Sequence, residues 1–331
     1  MKPPGCQGCI LFDKGEGYVK GEGPKDPKLF LIGEAPGENE ARTGLPFCGG
    51  AGRVLNALLA EARVFRNECY VTNIIKCRPP GNNLQPYLPA AAVHCRQYLD
   101  KELERHSTVN TVLLGDVALR FTLGRRSITK LRGCVYAWEG RRVIPTIHPA
   151  ALMREAKNWS VVVADLMYAA IMHKQPPQIN NFVIEPDLAE VRHFMAQVPK
   201  GVPTFCDIET YGPALACVGI AINENTAICI PLWNGSEWYW KTEEDSIEVA
   251  GVLREYLANP EYWKVFHNGM FDIDVLEKFG FVIDNWHSDT MLMHHTVYSE
   301  ARHSLGFLHS VYVRGEYYKD MHHSAKEDIE E

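Results

Sequence analysis

Short apolar runs alternate with helical segments through the first half of the chain, and this alternation restricts its fold more than any other feature. The strand-like runs are residues 29–32, 70–75, 109–114 and 142–147, and helical spacing follows at 51–62, 89–105, 116–123 and 158–172. Repeated β–α alternation predicts a mostly parallel sheet covered by helices on both faces. Ligands of such sheets bind where strands end, so we expect the segments at Gly33, Asn73 and His148 to converge.

A polar, proline-rich stretch at residues 174–181 reads as a linker. Beyond it, three strand-like runs at 204–208, 216–222 and 226–231 precede a helical segment at about 243–257. Successive strands before a helix predict an α+β domain that opens on an antiparallel meander. The 331 residues are enough for two domains, which we place at 1–172 and 183–331, with a linker at 173–182.

The net charge of −7 conceals two opposite halves. Residues 1–172 carry 23 Lys and Arg against 16 Asp and Glu, whereas residues 173–331 carry 11 against 25. This split predicts two domains with different electrostatic tasks. Basic side chains of the first domain are candidates for phosphate contacts, although each could equally be a solvent-exposed charge. They are Lys76, Arg78, Arg125, Arg126, Lys130, Arg132, Arg141 and Arg142.

The chain lacks the sequence features of a membrane or secreted protein. No apolar run approaches the ~18 residues that span a bilayer. Residues 1–5 lack the apolar core of a signal peptide. We therefore expect a cytoplasmic protein with no membrane partner.

Four of the ten cysteines form a suggestive pattern. Cys6 and Cys9 form a Cys-x2-Cys pair in a glycine-flanked loop, and Cys77 and Cys95 follow with 17 residues between them. Disulfides are disfavoured in the cytosol, so four such thiolates predict a zinc ion or an iron–sulfur cluster, which spacing does not separate. The alternative is that Cys77 and Cys95 are ordinary buried cysteines.

Three further segments are unusual for a plain core. Residues 33–37 follow a strand and place Glu34 between glycines, residues 43–52 carry Phe47 on a glycine-rich loop, and residues 71–80 place Asn73 before two cations and Cys77. Glycine permits close approach of the backbone to a ligand. An aromatic ring could stack on a flipped base, and an amide and a histidine could hydrogen-bond to the edge of that base.

The segments 33–37, 45–52, 72–80 and 148–154, together with the four cysteines, resemble the iron–sulfur, family 4 type of uracil-DNA glycosylase. The resemblance covers about residues 1–172 and implies a three-layer α/β fold with a parallel sheet. It also implies that Cys6, Cys9, Cys77 and Cys95 hold a 4Fe–4S cluster. One departure is Ala150, where many members of the family carry a serine.

The resemblance further implies a role for each pocket residue in hydrolysis of the N-glycosidic bond of uracil. Phe47 would stack on uracil, and Asn73 would read its pairing edge. His148 would stabilise negative charge on uracil O2. Glu34 and Glu40 would line the sugar side and orient water. The base would also contact Gly33 and Ala35.

In the second domain, acidic residues stand at spacings that suit divalent metals. Asp207 and Glu209 share one face of a strand, and Asp272 lies in the first turn of a predicted helix. This pattern resembles the 3′–5′ exonuclease domain of family A DNA polymerases, which implies a ribonuclease H-like α+β fold and Mg²⁺ or Mn²⁺ at these acids. Asp289 matches a structural position of that domain. A chance Asp-x-Glu on an exposed strand is the alternative.

A fourth acid, in a Tyr-x3-Asp helix, has no match before residue 331. We therefore expect an incomplete, C-terminally truncated exonuclease domain. The domain order is similar to the N-terminal part of certain bacteriophage DNA polymerases, so a separate polymerase chain is an expected partner. The leading hypothesis is excision of uracil from single- or double-stranded DNA. The alternatives are a non-catalytic uracil sensor or docking subunit, and an exonuclease completed in trans.

Overall fold

The protein, seen in a computed structural model that describes residues 2–107, 109–172 and 181–315, divides into two compact units. The first contains the described residues up to 172 together with residues 306–315, and the second contains residues 181–305. Most of the predicted linker, residues 173–182, lies outside the described residues.

The first unit is built on a five-stranded sheet of order β2-β1-β3-β5-β4. Strands β1, β2, β3 and β5 are parallel, and β4 runs antiparallel to β5. The predicted parallel sheet is therefore confirmed, and the antiparallel edge strand is an addition to it. The strands are β1 Leu29–Gly33, β2 Cys69–Asn73, β3 Thr111–Leu114, β4 Tyr136–Trp138 and β5 Arg141–Thr146.

Helices cover both faces of this sheet, because successive residues of each strand point to opposite sides and both sides are apolar. Leu29 and Leu31 pack with α2 and α7, whereas Phe30 and Ile32 pack with α3 and α4. None of the described helices is long and apolar enough to cross a bilayer. The helices of the unit are α1 Glu38–Thr43, α2 Gly50–Glu61, α3 Ala90–Glu104, α4 Asp116–Leu123, α5 Ile128–Leu131, α6 Pro149–Leu152 and α7 Trp159–Ile171.

Residues 306–315 belong to the first unit by their contacts, although the sequence-based boundary assigns them to the second domain. The fully buried carboxylate of Asp165 on α7 joins them to it. It accepts hydrogen bonds from Arg132, from Thr146 Oγ1 at 2.7 Å and from Arg314 Nη1 at 2.7 Å. Arg132 Nη1 in turn donates to Ser310 Oγ at 2.8 Å. A buried ion-pair network thus fastens this segment to the glycosylase-like sheet.

The second unit contains a six-stranded sheet of order β11-β10-β7-β8-β9-β6. The predicted antiparallel meander is confirmed as β7-β8-β9, and the parallel strands β10 and β11 extend the sheet beside β7. The strands are β6 Asn181–Val183, β7 Pro203–Tyr211, β8 Ala214–Asn223, β9 Thr226–Pro231, β10 Trp263–Phe266 and β11 Trp286–Asp289. Its helices are α8 Leu188–Met195, α9 Glu243–Ala258, α10 Gly269–Lys278 and α11 Thr290–Val297, and a short helix α12 (Leu305–Leu308) follows.

The Asp165 network makes a testable prediction for stability. Arg314→Met removes one of the two cations on a buried carboxylate, so we expect a loss of about 1.5–3 kcal/mol in the unfolding free energy of the first unit. Thermal and denaturant unfolding measure it. The matched control is Arg126→Met, which changes an exposed arginine of the same unit and should stay within about 0.5 kcal/mol of the parent. Equal stabilities of the two variants would contradict a supporting role of Arg314.

Candidate active site

The pocket residues of the first unit meet at one edge of the sheet. Gly33 ends β1, Asn73 ends β2, and His148 follows β5 as the N-cap residue of α6. Gly33 pairs with Asn73 in the parallel register, so the two are direct neighbours. Because these strands run in the same direction, their carboxyl ends form a common rim, as the sequence predicts.

The ring of Phe47 lies over this rim, and two glycines make its position possible. A Cβ at Gly33 would come within 2.5 Å of both Phe47 Cζ and Asn73 Oδ1. A Cβ at Gly52 would come within 1.8 Å of the Phe47 carbonyl oxygen, so the loop can close on α2 only over a glycine. Phe47 itself has a φ of +53°, a left-handed conformation that is costly for a bulky residue. The loop is thus shaped to hold this ring.

The side chain of Asn73 is buried, at 3% exposure, and its Oδ1 atom accepts no hydrogen bond within the described structure. A buried amide oxygen without a partner costs free energy, and such atoms in native proteins require an explanation. The same oxygen lies beside Gly33 and the Phe47 ring, at the place where a planar ligand could stack. It is therefore an acceptor held ready for an N–H group of a ligand.

His148 is held as a neutral imidazole with a defined tautomer. Its Nδ1 accepts a hydrogen bond from the Ala150 backbone N–H at 3.1 Å, so the ring proton is on Nε2. Burial lowers the pKa of His148 to about 4. The His148 and Phe47 ring centroids are 5.7 Å apart. The departure at Ala150 leaves this contact intact, because the donor is the backbone.

The two candidate glutamates lie in different environments. Glu34 is half-buried, and burial raises its pKa. Glu40 is buried, and its Oε1 accepts a hydrogen bond from the Gly49 N–H at 3.0 Å, which ties α1 to the glycine loop before α2. Ala35 is partly buried and packs against the apolar cluster beneath the sheet. Glu40 therefore holds the loop, whereas Glu34 is a half-buried carboxylate that follows the end of β1.

The four patterned cysteines lie close enough to influence one another's ionisation. Burial, together with the charges of Cys95, Cys6 and Cys9, raises the pKa of Cys77 to about 12. Burial likewise raises the pKa of Cys95 to about 11. The Leu11 N–H donates to Cys9 Sγ at 3.5 Å. All four thiols are free, and three of them are buried.

Three of the predicted phosphate contacts are wrong, because Lys76, Arg132 and Arg141 are buried and bonded inside the protein. Lys76 pairs with Glu102 at 2.7 Å, Arg132 pairs with Asp165, and Arg141 donates to backbone carbonyls near the end of α3. A cation that pairs with a group inside the protein is not available to neutralise a phosphate. The other predicted contacts are exposed or partly exposed, namely Arg78, Arg125, Arg126, Lys130 and Arg142.

In the second unit, three acids gather around β7. Asp207 and Glu209 lie on its exposed face, and the Ile208 N–H between them donates to Asp272 Oδ1 of α10 at 3.1 Å. Burial and the charge of Glu209 raise the pKa of Asp207. Burial and the charge of Asp207 raise that of Asp272 to about 6. These carboxylates repel one another, which is the electrostatic condition that a divalent cation relieves.

Asp289 has a structural place, as the sequence predicts. Its carboxylate accepts hydrogen bonds from the backbone N–H groups of Asn268, Gly269, Met291 and Leu292 at 2.7–3.2 Å. It caps α11 and anchors the start of α10, the helix that carries Asp272. Among the described residues of both units, no three His, Cys, Asp or Glu side chains are arranged to hold a single metal ion.

Sequence reasoning missed Glu102, the buried partner of Lys76. The signal was present in α3, where Cys95, Leu99, Glu102 and Leu103 fall on one helical face. A charged residue within an apolar stripe predicts a buried partner of opposite sign.

Comparison with known proteins identifies both units. The model of the uracil DNA glycosylase superfamily matches residues 20–167, and that of a 3′–5′ exonuclease family matches residues 206–328. A DNA polymerase of Bacillus phage SP01 is 26% identical over 321 residues, which are 86% of this chain and 34% of the polymerase. One relative therefore contains both parts in the same order.

Two type-4 uracil-DNA glycosylases match the first part at higher identity. That of Thermotoga maritima is 41% identical over 156 residues, which are 46% of this chain and 80% of the relative. That of Saccharolobus solfataricus is 33% identical over 193 residues, which are 54% of this chain and 87% of the relative. The chain belongs to the type-4 uracil-DNA glycosylase family, and its glycosylase domain is followed by a 3′–5′ exonuclease domain.

Proposed function

We propose that the pocket formed by Gly33, Phe47, Asn73 and His148 excises uracil from DNA. The buried, partnerless Oδ1 of Asn73 is the observation that carries this assignment. Uracil presents an N–H donor at N3 and an acceptor at O4, which one amide satisfies at once. Cytosine presents the opposite pattern and would leave the amide unpaired, and unpaired buried polar groups are strongly disfavoured.

His148 supplies the electrostatic part of the proposed mechanism. As the glycosidic bond breaks, negative charge develops on the uracil ring, and the Nε2–H of a neutral imidazole can donate to O2 without a proton transfer. The Ala150 N–H fixes the tautomer that makes this possible. Phe47 would stack on the departing base, so the ring and the imidazole act on the same ligand from the two sides of the rim.

Glu34 would act on the sugar side. An ionised carboxylate near the anomeric carbon can orient the attacking water and favour an oxocarbenium-like sugar. The raised pKa of Glu34 brings its basicity closer to neutral pH, which suits a base. Glu40 keeps the glycine loop in place through Gly49, so its contribution is to position Phe47.

The four cysteines fit a 4Fe–4S cluster held by Cys6, Cys9, Cys77 and Cys95. Three of the four thiols are buried, and the thiols repel one another when ionised. The backbone N–H of Leu11 donates to one sulfur, as expected of a cluster site. A cluster of four irons is larger than one ion, so its ligands stand farther apart than the ligands of zinc. The bound cluster would cross-link the N-terminal loop to β2 and α3.

The acids of the second unit support a divalent metal site for phosphodiester hydrolysis. Asp207, Glu209 and Asp272 would hold Mg²⁺ or Mn²⁺ only after their side chains rearrange, because no three acids of the described residues are arranged around one ion. The bound ion would supply Lewis-acid catalysis. The raised pKa values of Asp207 and Asp272 support this proposal, because a bound cation would favour the ionised form of both carboxyls. Because this chemistry cleaves a phosphodiester bond, we propose DNA as the substrate of the second unit. A separate polymerase chain as partner stays a prediction.

The uracil assignment is tested by base release from a single-uracil oligonucleotide in the presence of EDTA. The parent protein should release uracil, and Asn73→Ala should lower the rate about 10²–10³-fold, because a buried hydrogen bond to the transition state is lost. Asn83→Ala, at an exposed position, is the matched control. Tight binding of uracil-containing DNA without release would instead support the sensor hypothesis.

Gly33→Ala gives a second prediction for the pocket. The added methyl would lie within 2.5 Å of Phe47 Cζ and Asn73 Oδ1, so it would push these two groups out of the positions in which they would meet the base. We expect loss of both uracil release and uracil binding in a protein that still folds. Gly251→Ala, where a Cβ meets nothing within 4 Å, should leave both intact. Normal release by the Gly33 variant would show that the base binds elsewhere.

Metal binding by the second unit should depend on pH. Asp272 has a pKa of about 6 without metal, so it is ionised above that pH and protonated below it. A cation must displace this proton, and we expect Mn²⁺ affinity to fall about tenfold between pH 7.5 and pH 5. Calorimetry or Mn²⁺ paramagnetic resonance measures it. Asp272→Asn should bind weakly at both pH values, and a pH-independent affinity in the parent would rule out these ligands.

A further inference from the structure

Lys76 is a fully buried cation three residues after Asn73, with 0% exposure. Its Nζ donates to Thr72 Oγ1 at 2.6 Å and to Glu102 Oε2 at 2.7 Å. Thr72 Oγ1 donates to the same Glu102 oxygen at 2.7 Å. The three side chains therefore form a closed triangle, and we call it the Lys76 triad.

The triad closes the loop that carries Asn73. Thr72 immediately precedes Asn73, and Lys76 reaches back across four residues to bond it. Between them, the N–H groups of Ile74 and Ile75 donate to the carbonyls of Gly33 and Glu34 at 2.9 and 3.0 Å. Both ends and the middle of residues 72–76 are thus fixed against β1 and α3.

The triad also reaches the cysteine site. Glu102 lies seven residues after Cys95 on the same face of α3. Lys76 is the direct neighbour of Cys77. The second oxygen of Glu102 accepts the Gly21 N–H at 2.8 Å, which adds the N-terminal segment.

A buried ion pair is an expensive way to gain stability, because desolvation offsets most of the Coulomb attraction. Burial lowers the pKa of Lys76, and the charge of Glu102 opposes that shift. An apolar pair of similar volume would serve packing equally well. What the charged triad adds is directional hydrogen bonds at the residue before Asn73.

We propose that Lys76, Thr72 and Glu102 are positioning residues that hold the Asn73 amide in the orientation that accepts from uracil and donates to it. The inference rests on the proposed uracil excision. The triad acts on the amide through the backbone of residues 72–76. If the triad is lost, that backbone can shift, and an amide in a less defined position can present its exchanged oxygen and nitrogen to cytosine as well as to uracil. The triad therefore governs base selectivity and mechanically connects it to the cysteine site.

The test is the double variant Lys76→Met/Glu102→Gln, which removes both charges but lets residue 102 keep bonds to Thr72 and Gly21. Equilibrium binding is measured with oligonucleotides that carry uncleavable 2′-fluoro uracil or 2′-fluoro cytosine nucleotides, and release is measured on the cleavable uracil strand. We expect the uracil-to-cytosine binding ratio to fall at least about tenfold, with a lower kcat for uracil and a smaller change in KM.

The matched control is Arg96→Met/Asp100→Asn, which removes a partly exposed ion pair from the same helix and should leave the ratio unchanged. Thermal unfolding and visible iron–sulfur absorption report whether each variant is folded and loaded. If the double variant does not fold, the single variant Glu102→Gln tests the inference instead. We then expect a smaller fall in the uracil-to-cytosine binding ratio.

A folded variant that keeps the parent's uracil-to-cytosine ratio overturns the inference. A parent that neither binds nor releases uracil overturns the proposed function instead, so the two failures are distinguishable.

Discussion

The parallel pairing of β1 with β2 is the contact on which the pocket depends. All five residues of each strand are buried, and the register sets Gly33 directly beside Asn73. The two faces of these strands pack against different helices, so a shift in register would disturb the packing on both sides of the sheet. The position of the Asn73 amide is thus inherited from the packing of the whole sheet.

The same register explains why a glycine ends β1. Any side chain at that position would occupy the volume shared by the Phe47 ring and the Asn73 oxygen. The strand contributes stability through its apolar residues and recognition through the residue that has no side chain. The pocket therefore lies at the carboxyl ends of the strands, which is the general position of binding sites in parallel α/β folds.

Much of this arrangement could be predicted from residue order. The alternation of short strands and helices predicts the parallel sheet, and strand ends predict the convergence of Gly33, Asn73 and His148, because both depend on local pattern. Pairing of charges does not follow from local pattern. Lys76 lies 26 residues from Glu102, and Arg132 lies 33 from Asp165. A cation beside a binding motif therefore looks like a phosphate contact until the fold reveals its partner.

The different environments of the two glutamates could not be predicted from the sequence either. Glu34 and Glu40 are the same residue type in one motif, and they differ in the conformation of the surrounding backbone. The loop after α1 turns the Gly49 N–H toward Glu40, whereas Glu34 is half-buried at the end of a strand. Such differences arise from loop conformation, which single residue types specify weakly.

Internal pairing also changes what the charge asymmetry means for DNA. Several cations of the first domain are neutralised by buried acids, so attraction to phosphates rests on the smaller exposed set, including Arg126 and Lys130. In the second domain, part of the excess negative charge lies in the carboxylates around Asp272, whose pKa is raised by burial and by the charge of Asp207. A divalent cation would reduce that repulsion and would also make this surface less hostile to a polyanion. For the exonuclease domain, the proposed metal binding and DNA binding would therefore be electrostatically linked, whereas the proposed uracil pocket would draw its specificity from uncharged groups.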